Sequence, residues 1–430
     1  MGKSMMHTML RPLLAATALC LPLTAAAVEL PAQPAGLSLE KVVMFTRHGI
    51  RPPTKEPAAG LAAQAWPTWS VPYGNLTDRG AQGVVLLGRF DRQFFATRGL
   101  FPADGCPADG QYKVEASAKE RAIRTAKSMV EGFAPSCKVT VTYPTTADED
   151  SVFHPLTVPG NRLDPVKAMA ASSVKLPPGG LKQEMAGFET EFALLQKALG
   201  PQGDEWCAKK KLQAGCKIAD LHTALEPDEE EGRPDVGGAF GQGSTISQTF
   251  LLEYLEGKPM EQVAWGRASR DDIERMLNFH PLKFKYENRP SYISDRAAAP
   301  IMRRLLSYLQ DGQVKLALMA GHDTNIADLA GMLDLHWRID SYPADDTPPG
   351  GAIGIEMLHD QQGQRFIRAF YRAQTMDQLR NLEPLDLKTS PAVVTYMALP
   401  LCSKGPDKTT CRAEDFFAAI DAKLKAASQP

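Results

Sequence analysis

The chain has 430 residues, 43% hydrophobic and 23% charged, with a formal net charge of −2 at pH 7. This is the balance of a globular protein with material for a sizeable core, and it excludes a disordered chain. It also excludes a strong basic field for nucleic acid, so any pull on an anion must come from local arginines.

Residues 1–27 are expected to be an export signal. Lys3 and Arg11 precede an apolar run over 12–23, and Ala25-Ala26-Ala27 offers a small-residue cleavage site before Val28. The run is too short for a permanent anchor and no later stretch of ~20 apolar residues follows, so a periplasmic or secreted protein without a membrane anchor is expected. Leu19 stands before Cys20 where a lipid-attachment signal wants a small residue. Loss of Lys3 and Arg11 with the leader takes the formal charge of −2 to near −4.

Strand and helix signals then alternate. The pattern predicts a strand over 41–45, a helix over 78–98 stopped by Gly99, a helix carrying Arg121, and a strand over 139–142. From about 145 to 298 strand signals fade. There Leu181, Met185, Phe188, Phe192, Leu195 and Leu199 recur at spacings of four and three, the stripe of an amphipathic core helix. The acidic stretch 226–232 is expected to be a solvated loop, followed by helices around 245–255 and 271–278. The alternation resumes with a helix over 301–309, strands over 316–319, 353–357 and 366–371, and a final helix over 415–425. The expected organisation is an α/β domain over 28–144 and 299–430, interrupted by a mainly helical one over 145–298, with the active site in the cleft between them. Oligomeric state is not legible.

Six cysteines follow the leader, an even number suited to an oxidising compartment. Of the 15 possible connectivities, the local one is expected, Cys106 with Cys137, Cys207 with Cys216 and Cys402 with Cys411, because the intervening segments close as loops. No Cys-x-x-Cys, His-Glu-x-x-His or Gly-rich nucleotide loop occurs in the sequence, so no metal or cofactor is expected.

Two phrases carry the chemistry: Phe45-Thr46-Arg47-His48-Gly49-Ile50-Arg51-Pro52-Pro53-Thr54 and Ala320-Gly321-His322-Asp323-Thr324-Asn325. Each follows an apolar run that reads as a buried strand. In an open α/β sheet, ligands bind beyond the carboxyl ends of the strands, so two such strands side by side would aim Arg47, His48, Arg51, His322 and Asp323 into one pocket. Arginine suits a phosphate because its planar fork gives two parallel hydrogen bonds and stays charged. Fixed positive charge also favours the neutral, nucleophilic imidazole of His48. Asp323 would supply the proton for a leaving alkoxide. Asp323-Thr324-Asn325 equally fits a helix cap, a role compatible with holding an anion at a helix N-terminus. His154, His222, His336 and His359 show no partner spacing and are expected to be surface or satisfied core residues.

These phrases resemble the histidine acid phosphatases, the branch of the histidine phosphatase superfamily that includes bacterial periplasmic phytases and glucose-1-phosphatases. The signature Arg-His-Gly-x-Arg-x-Pro stands here as Arg47-His48-Gly49-Ile50-Arg51-Pro52-Pro53, followed by the Thr54-Lys55 of the bacterial branch. Further matches are Ala65-Trp66-Pro67-Thr68-Trp69, Leu76-Thr77-Asp78-Arg79-Gly80, Val263-Ala264-Trp265-Gly266-Arg267 and Thr347-Pro348-Pro349-Gly350-Gly351, so the resemblance spans nearly the whole chain after the leader. It implies a histidine-phosphatase (phosphoglycerate-mutase-like) α/β sandwich with an inserted, mainly α-helical second domain. It also implies an acid phosphomonoesterase working through a phosphohistidine. His48 would be the nucleophile, Asp323 the general acid, and Arg47, Arg51 and His322 phosphate ligands. A mid-chain family arginine matches Arg121, with Arg124-Thr125 as a competing register; Arg121 is preferred because Ile123, Ala126, Val130 and Phe133 then form the apolar face of its helix. His280 lies in a stretch resembling one where bacterial phytases carry a substrate-facing histidine.

The partner expected is therefore a small phosphate ester. Thr54, Lys55 and His280 favour a phytase, since added cations help a substrate bearing several phosphates. The segment 252–263 looks closer to the glucose-1-phosphatase type. A different class, capture of phosphate esters without turnover, needs the arginines but has no use for the His48 and Asp323 pair. A mutase-like phosphotransferase fits poorly, because those enzymes lack an export leader and use a glutamate as the acid.

Overall fold

A computed structural model describes residues 1–2, 30–146, 150–402 and 406–429. The leader's apolar run, its cleavage site and Cys20 lie outside the described residues.

Among the described residues ten strands are present: β1 (Ser38–Arg47), β2 (Tyr112–Ala116), β3 (Val141–Thr142), β4 (Leu225–Pro227), β5 (Pro234–Val236), β6 (Leu316–Gly321), β7 (Ala352–His359), β8 (Arg365–Ala373), β9 (Val393–Met397) and β10 (Thr410–Arg412). Eight form one sheet in the order β10-β8-β7-β1-β6-β2-β3, with β9 pairing β8 off that path. The neighbours β1, β6, β2 and β3 run parallel, whereas β7 to β10 are antiparallel additions on the other side of β1. The first of these facts sets the site. Register puts Arg47 opposite Gly321, so the residues after β1 and β6 leave the sheet side by side.

Both faces of the sheet are covered, which is why its central strands read as continuous apolar runs rather than alternating ones. Val42 and Met44 of β1 with Leu316 and Leu318 of β6 pack under helices α1 (Asp78–Thr97) and α2 (Glu120–Phe133), joined by Val84, Leu87, Phe90 and Met129. Val43, Phe45, Ala317 and Met319 face the opposite layer, where the helices Ala299–Gln310, Asp323–Leu333 and Ala413–Ala427 contribute Ile301, Leu305, Ile326, Leu329, Phe416 and Ile420. The period of two in side-chain direction thus divides one strand between two cores.

Between β3 and β6 the regular elements of the described chain are helices except for the β4–β5 hairpin. That hairpin falls in the acidic stretch expected to be a solvated loop, and Asp228 and Arg233 close it by a backbone hydrogen bond of 2.8 Å. The stripe from Leu181 to Leu199 divides into two helices, Gly180–Ala186 and Glu189–Leu199, with Gly187 and Phe188 at the break. The helix expected from 245 begins at Gly238 and runs to Leu255. A side chain at Gly243 would sit 2.9 Å from the Phe279 ring, so the small residue lets two helices approach. On α2 the buried face is Ala122, Thr125, Ala126, Met129 and Phe133, with Ile123 and Val130 half-buried at its margin, a small rotation from the expected stripe.

Three disulfides close local loops: Cys106–Cys137, Cys207–Cys216 and Cys402–Cys411, with Cα separations of 5.5, 5.9 and 5.5 Å.

Candidate active site

The chain leaves β1 as Arg47-His48 and is clamped at once. The His48 N–H donates to the Gly321 carbonyl at 3.0 Å, and the His48 carbonyl accepts from Gly350 N–H at 3.1 Å. Gly49 N–H donates to Thr125 Oγ1 of α2 at 3.1 Å, and Thr77, the N-cap of α1, donates its N–H to Ile50 at 3.0 Å. A Cβ on Gly80 would lie 2.3 Å from the Ile50 carbonyl, so α1 starts directly against this segment because residue 80 has no side chain. Two of the quoted motifs, 76–80 and 347–351, therefore exist to hold the backbone of 48–51.

His48 is buried and its tautomer follows from its partners. Nδ1 lies 2.9 Å from the Gly49 carbonyl, which can only accept, and Nε2 lies 3.3 Å from Arg51 Nε, which can only donate. The proton is on Nδ1 and the lone pair on Nε2. Burial, then Arg51, Arg121 and Arg47, hold the imidazole well below its ordinary range. Desolvation leads and the arginines follow, so the neutral form does not depend on the guanidinium groups alone.

Around this ring stand three arginines. Arg47 is buried; its Nη1 donates to the Thr347 carbonyl, and its Nη2 reaches Gln248 Oε1 at 3.1 Å and Asp323 Oδ2 at 3.0 Å. Arg51 holds the Pro52 carbonyl at 2.9 Å, and burial, then Arg47, lowers it to about 9, which leaves it charged at any acid pH. Arg121, at the first turn of α2, reaches Gly74 O at 3.5 Å and His322 Nδ1 at 3.4 Å. Arg124 turns the other way, to Leu76 O and Asp78. Among the described residues, neither Arg51 nor Arg121 has a carboxylate within ion-pair distance. Two half-buried guanidinium groups without a counter-charge are costly, and a dianion among them removes that cost.

His322 caps the helix Asp323–Leu333, and Asn325 Oδ1 accepts its N–H at 3.1 Å; Asp323 is the first helical residue rather than the cap. Its Oδ1 accepts from Thr324 N–H at 2.9 Å, leaving Oδ2 toward Arg47. Burial would raise the Asp323 carboxyl, but Arg47, His280, His48 and Arg51 outweigh it and hold the carboxyl well below the usual carboxylate range. The His48 and His322 rings lie 5.7 Å apart, edge to face.

Three contributors went unread in the sequence. Ser117, which follows β2, and Asp150 form a relay to His322: Arg121 can only donate to Nδ1, so Nε2–H donates to Ser117 Oγ at 3.1 Å, and Ser117 donates to Asp150 at 2.6 Å. His154 is the third. Its ring lies 5.0 Å from that of His322 and its Nε2 3.8 Å from Asp150, so the expectation of a surface or satisfied core residue apart from the site is corrected. The missing signal was β2. Recognition of a third parallel strand beside β6 would have pointed to the residue after its end. His336 remains an exposed side chain paired with Asp345 at 2.6 Å; His222 is exposed, and His359 Nδ1 lies 3.0 Å from the Asp360 carbonyl.

The three remaining candidates divide. Thr54 packs its backbone beside Gly74 and Arg121 and is exposed, as is Lys55 next to it. His280 is buried, with Nδ1 2.7 Å from Asp346 Oδ1 and Nε2 3.8 Å from Asp323 Oδ2.

The arrangement can bind a tetrahedral dianion in line with a neutral imidazole, with a carboxyl group beside it. The family model described as histidine phosphatase superfamily (branch 2) matches residues 38–178 and 268–372. The chain is 30% identical over 432 residues to phytase AppA of Escherichia coli (strain K12), covering 95% of this chain and 98% of that protein. It is likewise 30% identical over 396 residues to glucose-1-phosphatase of Salmonella typhimurium (strain LT2), covering 88% of this chain and 91% of that protein. The apo form of Hafnia alvei phytase superposes with a TM-score of 0.84 at 28% identity, over 93% of this chain and 100% of that one.

Proposed function

The chain belongs to branch 2 of the histidine phosphatase superfamily, and on that premise we propose that it is an exported acid phosphomonoesterase whose main substrate is phytate. The observation that carries the reading is the half-buried guanidinium groups of Arg51 and Arg121, without a carboxylate partner, around the unprotonated Nε2 of His48. They favour a phosphoryl group whose phosphorus faces that nitrogen. His48 Nε2 attacks phosphorus, the P–O ester bond breaks, and Asp323 gives its proton to the departing oxygen. Water then attacks the phosphohistidine, Asp323 takes its proton, and phosphate leaves.

The charge state of Asp323 decides the pH range. In the free protein the arginines keep it ionised. A phosphate dianion cancels their field, so the proton becomes tenable once substrate is bound. Turnover then falls as pH rises through the bound-state range of this acid, which is acid-phosphatase behaviour.

Thr54 stands exposed beside Gly74, near Arg121, and Lys55 follows it exposed, where a further phosphate of an inositol ring would meet them. The division into a catalytic domain over 28–144 and 299–430 and a helical one over 145–298 is part of the same reading; it is supported by the family model's omission of 179–267. Among the described residues no helix is long and apolar enough to cross a membrane. Glucose 1-phosphate is the second substrate to weigh, because the relative with that activity is as similar as the phytase at 30% identity.

Comparing kcat/KM on phytate, glucose 1-phosphate and p-nitrophenyl phosphate tests the substrate, with phytate expected to lead. The purified His48→Ala protein is expected to lose turnover on all three. Full activity of that variant would overturn the phosphohistidine reading.

A further inference from the structure

One turn, residues 345–351, touches the site three times. Gly350 and Gly351 hold the backbone at 47–48, the Thr347 carbonyl takes Arg47 Nη1, and Asp346 meets His280. Asp346 is buried, and its Oδ1 accepts from Thr347 N–H at 2.9 Å as well as lying 2.7 Å from His280 Nδ1. An oxygen already accepting an amide proton is the acceptor for the imidazole as well, so His280 Nδ1 carries hydrogen. That leaves Nε2 facing Asp323 Oδ2 across 3.8 Å.

A neutral Nε2 and a carboxylate oxygen both present lone pairs. They can close to hydrogen-bond distance only with one proton between them, as imidazolium with carboxylate or as imidazole with carboxylic acid. We propose that His280, oriented by Asp346, is a positioning residue that holds on Nε2 the proton which Asp323 delivers to the leaving group. The inference deepens, and rests on, the reading of Asp323 as the general acid.

The step balances. When a phosphate dianion enters, the Nε2–H bond of His280 breaks and an O–H bond forms on Asp323. That O–H bond breaks as the ester oxygen gains its hydrogen, the P–O ester bond breaks, and the P–N bond to His48 forms. In the second half, water bonds to phosphorus as P–N breaks, and its proton passes through Asp323 back to His280. The catalytic pair thus recovers its proton from the attacking water rather than from an exchange with bulk solvent. The groups facing His280 are Asp346 from the turn and Asp323 from the helix. Beyond Asp323 stand Arg47, His48 and Arg51, and beyond Asp346 the buried Tyr342 and Tyr371.

The test compares His280→Gln and Asp346→Asn with wild type on glycerol 2-phosphate, whose alkoxide must be protonated to leave, and on p-nitrophenyl phosphate, whose phenolate need not be. In His280→Gln, kcat on the alkyl ester is expected to fall about tenfold or more beyond the fall on the aryl ester, within the range of proton-transfer catalysis. The basic limb of its kcat–pH profile should also move to lower pH. Asp346→Asn should change both readouts in the same direction, less strongly, and decides the matter if the histidine variant does not fold. Equal losses on the two esters in a folded variant would reduce His280 to a packing role. A rise in KM alone would make it a substrate contact, and either result overturns the proposal. Retained activity in His48→Ala would instead strike the phosphohistidine reading, whatever the leaving-group pattern.

Discussion

Asp323 is held in two directions at once. Its Oδ2 sits 3.0 Å from Arg47, so in the free protein the carboxylate occupies a guanidinium face that a substrate phosphate would use. Replacement by asparagine removes both the proton donor and this competitor. In Asp323→Asn, kcat on an alkyl phosphate is expected to fall by about 10²–10⁴, and by less on an aryl phosphate. Inorganic phosphate should inhibit the variant at lower concentration than wild type, because Arg47 is no longer neutralised. Product-inhibition kinetics check this; weaker phosphate binding in the variant would show that Asp323 orders the arginines rather than competing with the ligand.

Among elements, the junction of α1 with the segment after β1 has the least freedom. Thr77 caps the helix, accepting from Gly80 N–H at 2.9 Å, and Gly80 lies against Ile50 with no room for a methyl group. Gly80→Ala is expected to cost about 1–3 kcal/mol, the usual range for overpacking. It should also lower kcat/KM, since the displaced backbone carries His48 and Arg51. Thermal unfolding and steady-state kinetics read the two effects. An unchanged kcat/KM in a destabilised variant would mean that the helix, not the catalytic segment, gives way.

Across the whole molecule, the helical layer and the loop over 54–74 are joined at Trp265. Its indole N–H donates to Ala65 O at 2.8 Å and its ring meets Trp66 edge to face at 4.8 Å. Ala264 and Trp265 hold left-handed backbone, φ 46° and 54°, and Glu253 accepts the Ala264 N–H at 3.0 Å. Burial, opposed by that amide and by the Lys258 charge, pushes Glu253 up to about 8, from 4.5 when exposed. The folded state therefore binds the proton more tightly than the unfolded state. The contribution to stability is fully present below about pH 4.5 and is lost as pH rises to about 8. Glu253→Gln should match wild type near pH 4 and exceed it near pH 8 by on the order of 3 kcal/mol. Urea melts at the two pH values check this, and an equal difference at both would refute the buried-acid account.

The apolar runs, the glycine and proline punctuation and the two histidine phrases were enough to read an α/β sandwich, the family, and a set of residues that converge in space. Those features are local: a buried parallel strand must be apolar throughout, and a residue following it must leave at the sheet's end. The hydrogen-bond relay from His322 through Ser117 to Asp150, the place of His154, and the contact of His280 with both Asp346 and Asp323 were decided only by tertiary structure. They join segments 30 to more than 200 residues apart, and no periodicity along a chain encodes which side chain will meet which across strands and turns. The tautomer of His48 belongs to the same class, since it depends on a carbonyl and a guanidinium whose directions exist only once β1, α1 and the turn at 345–351 have closed around it.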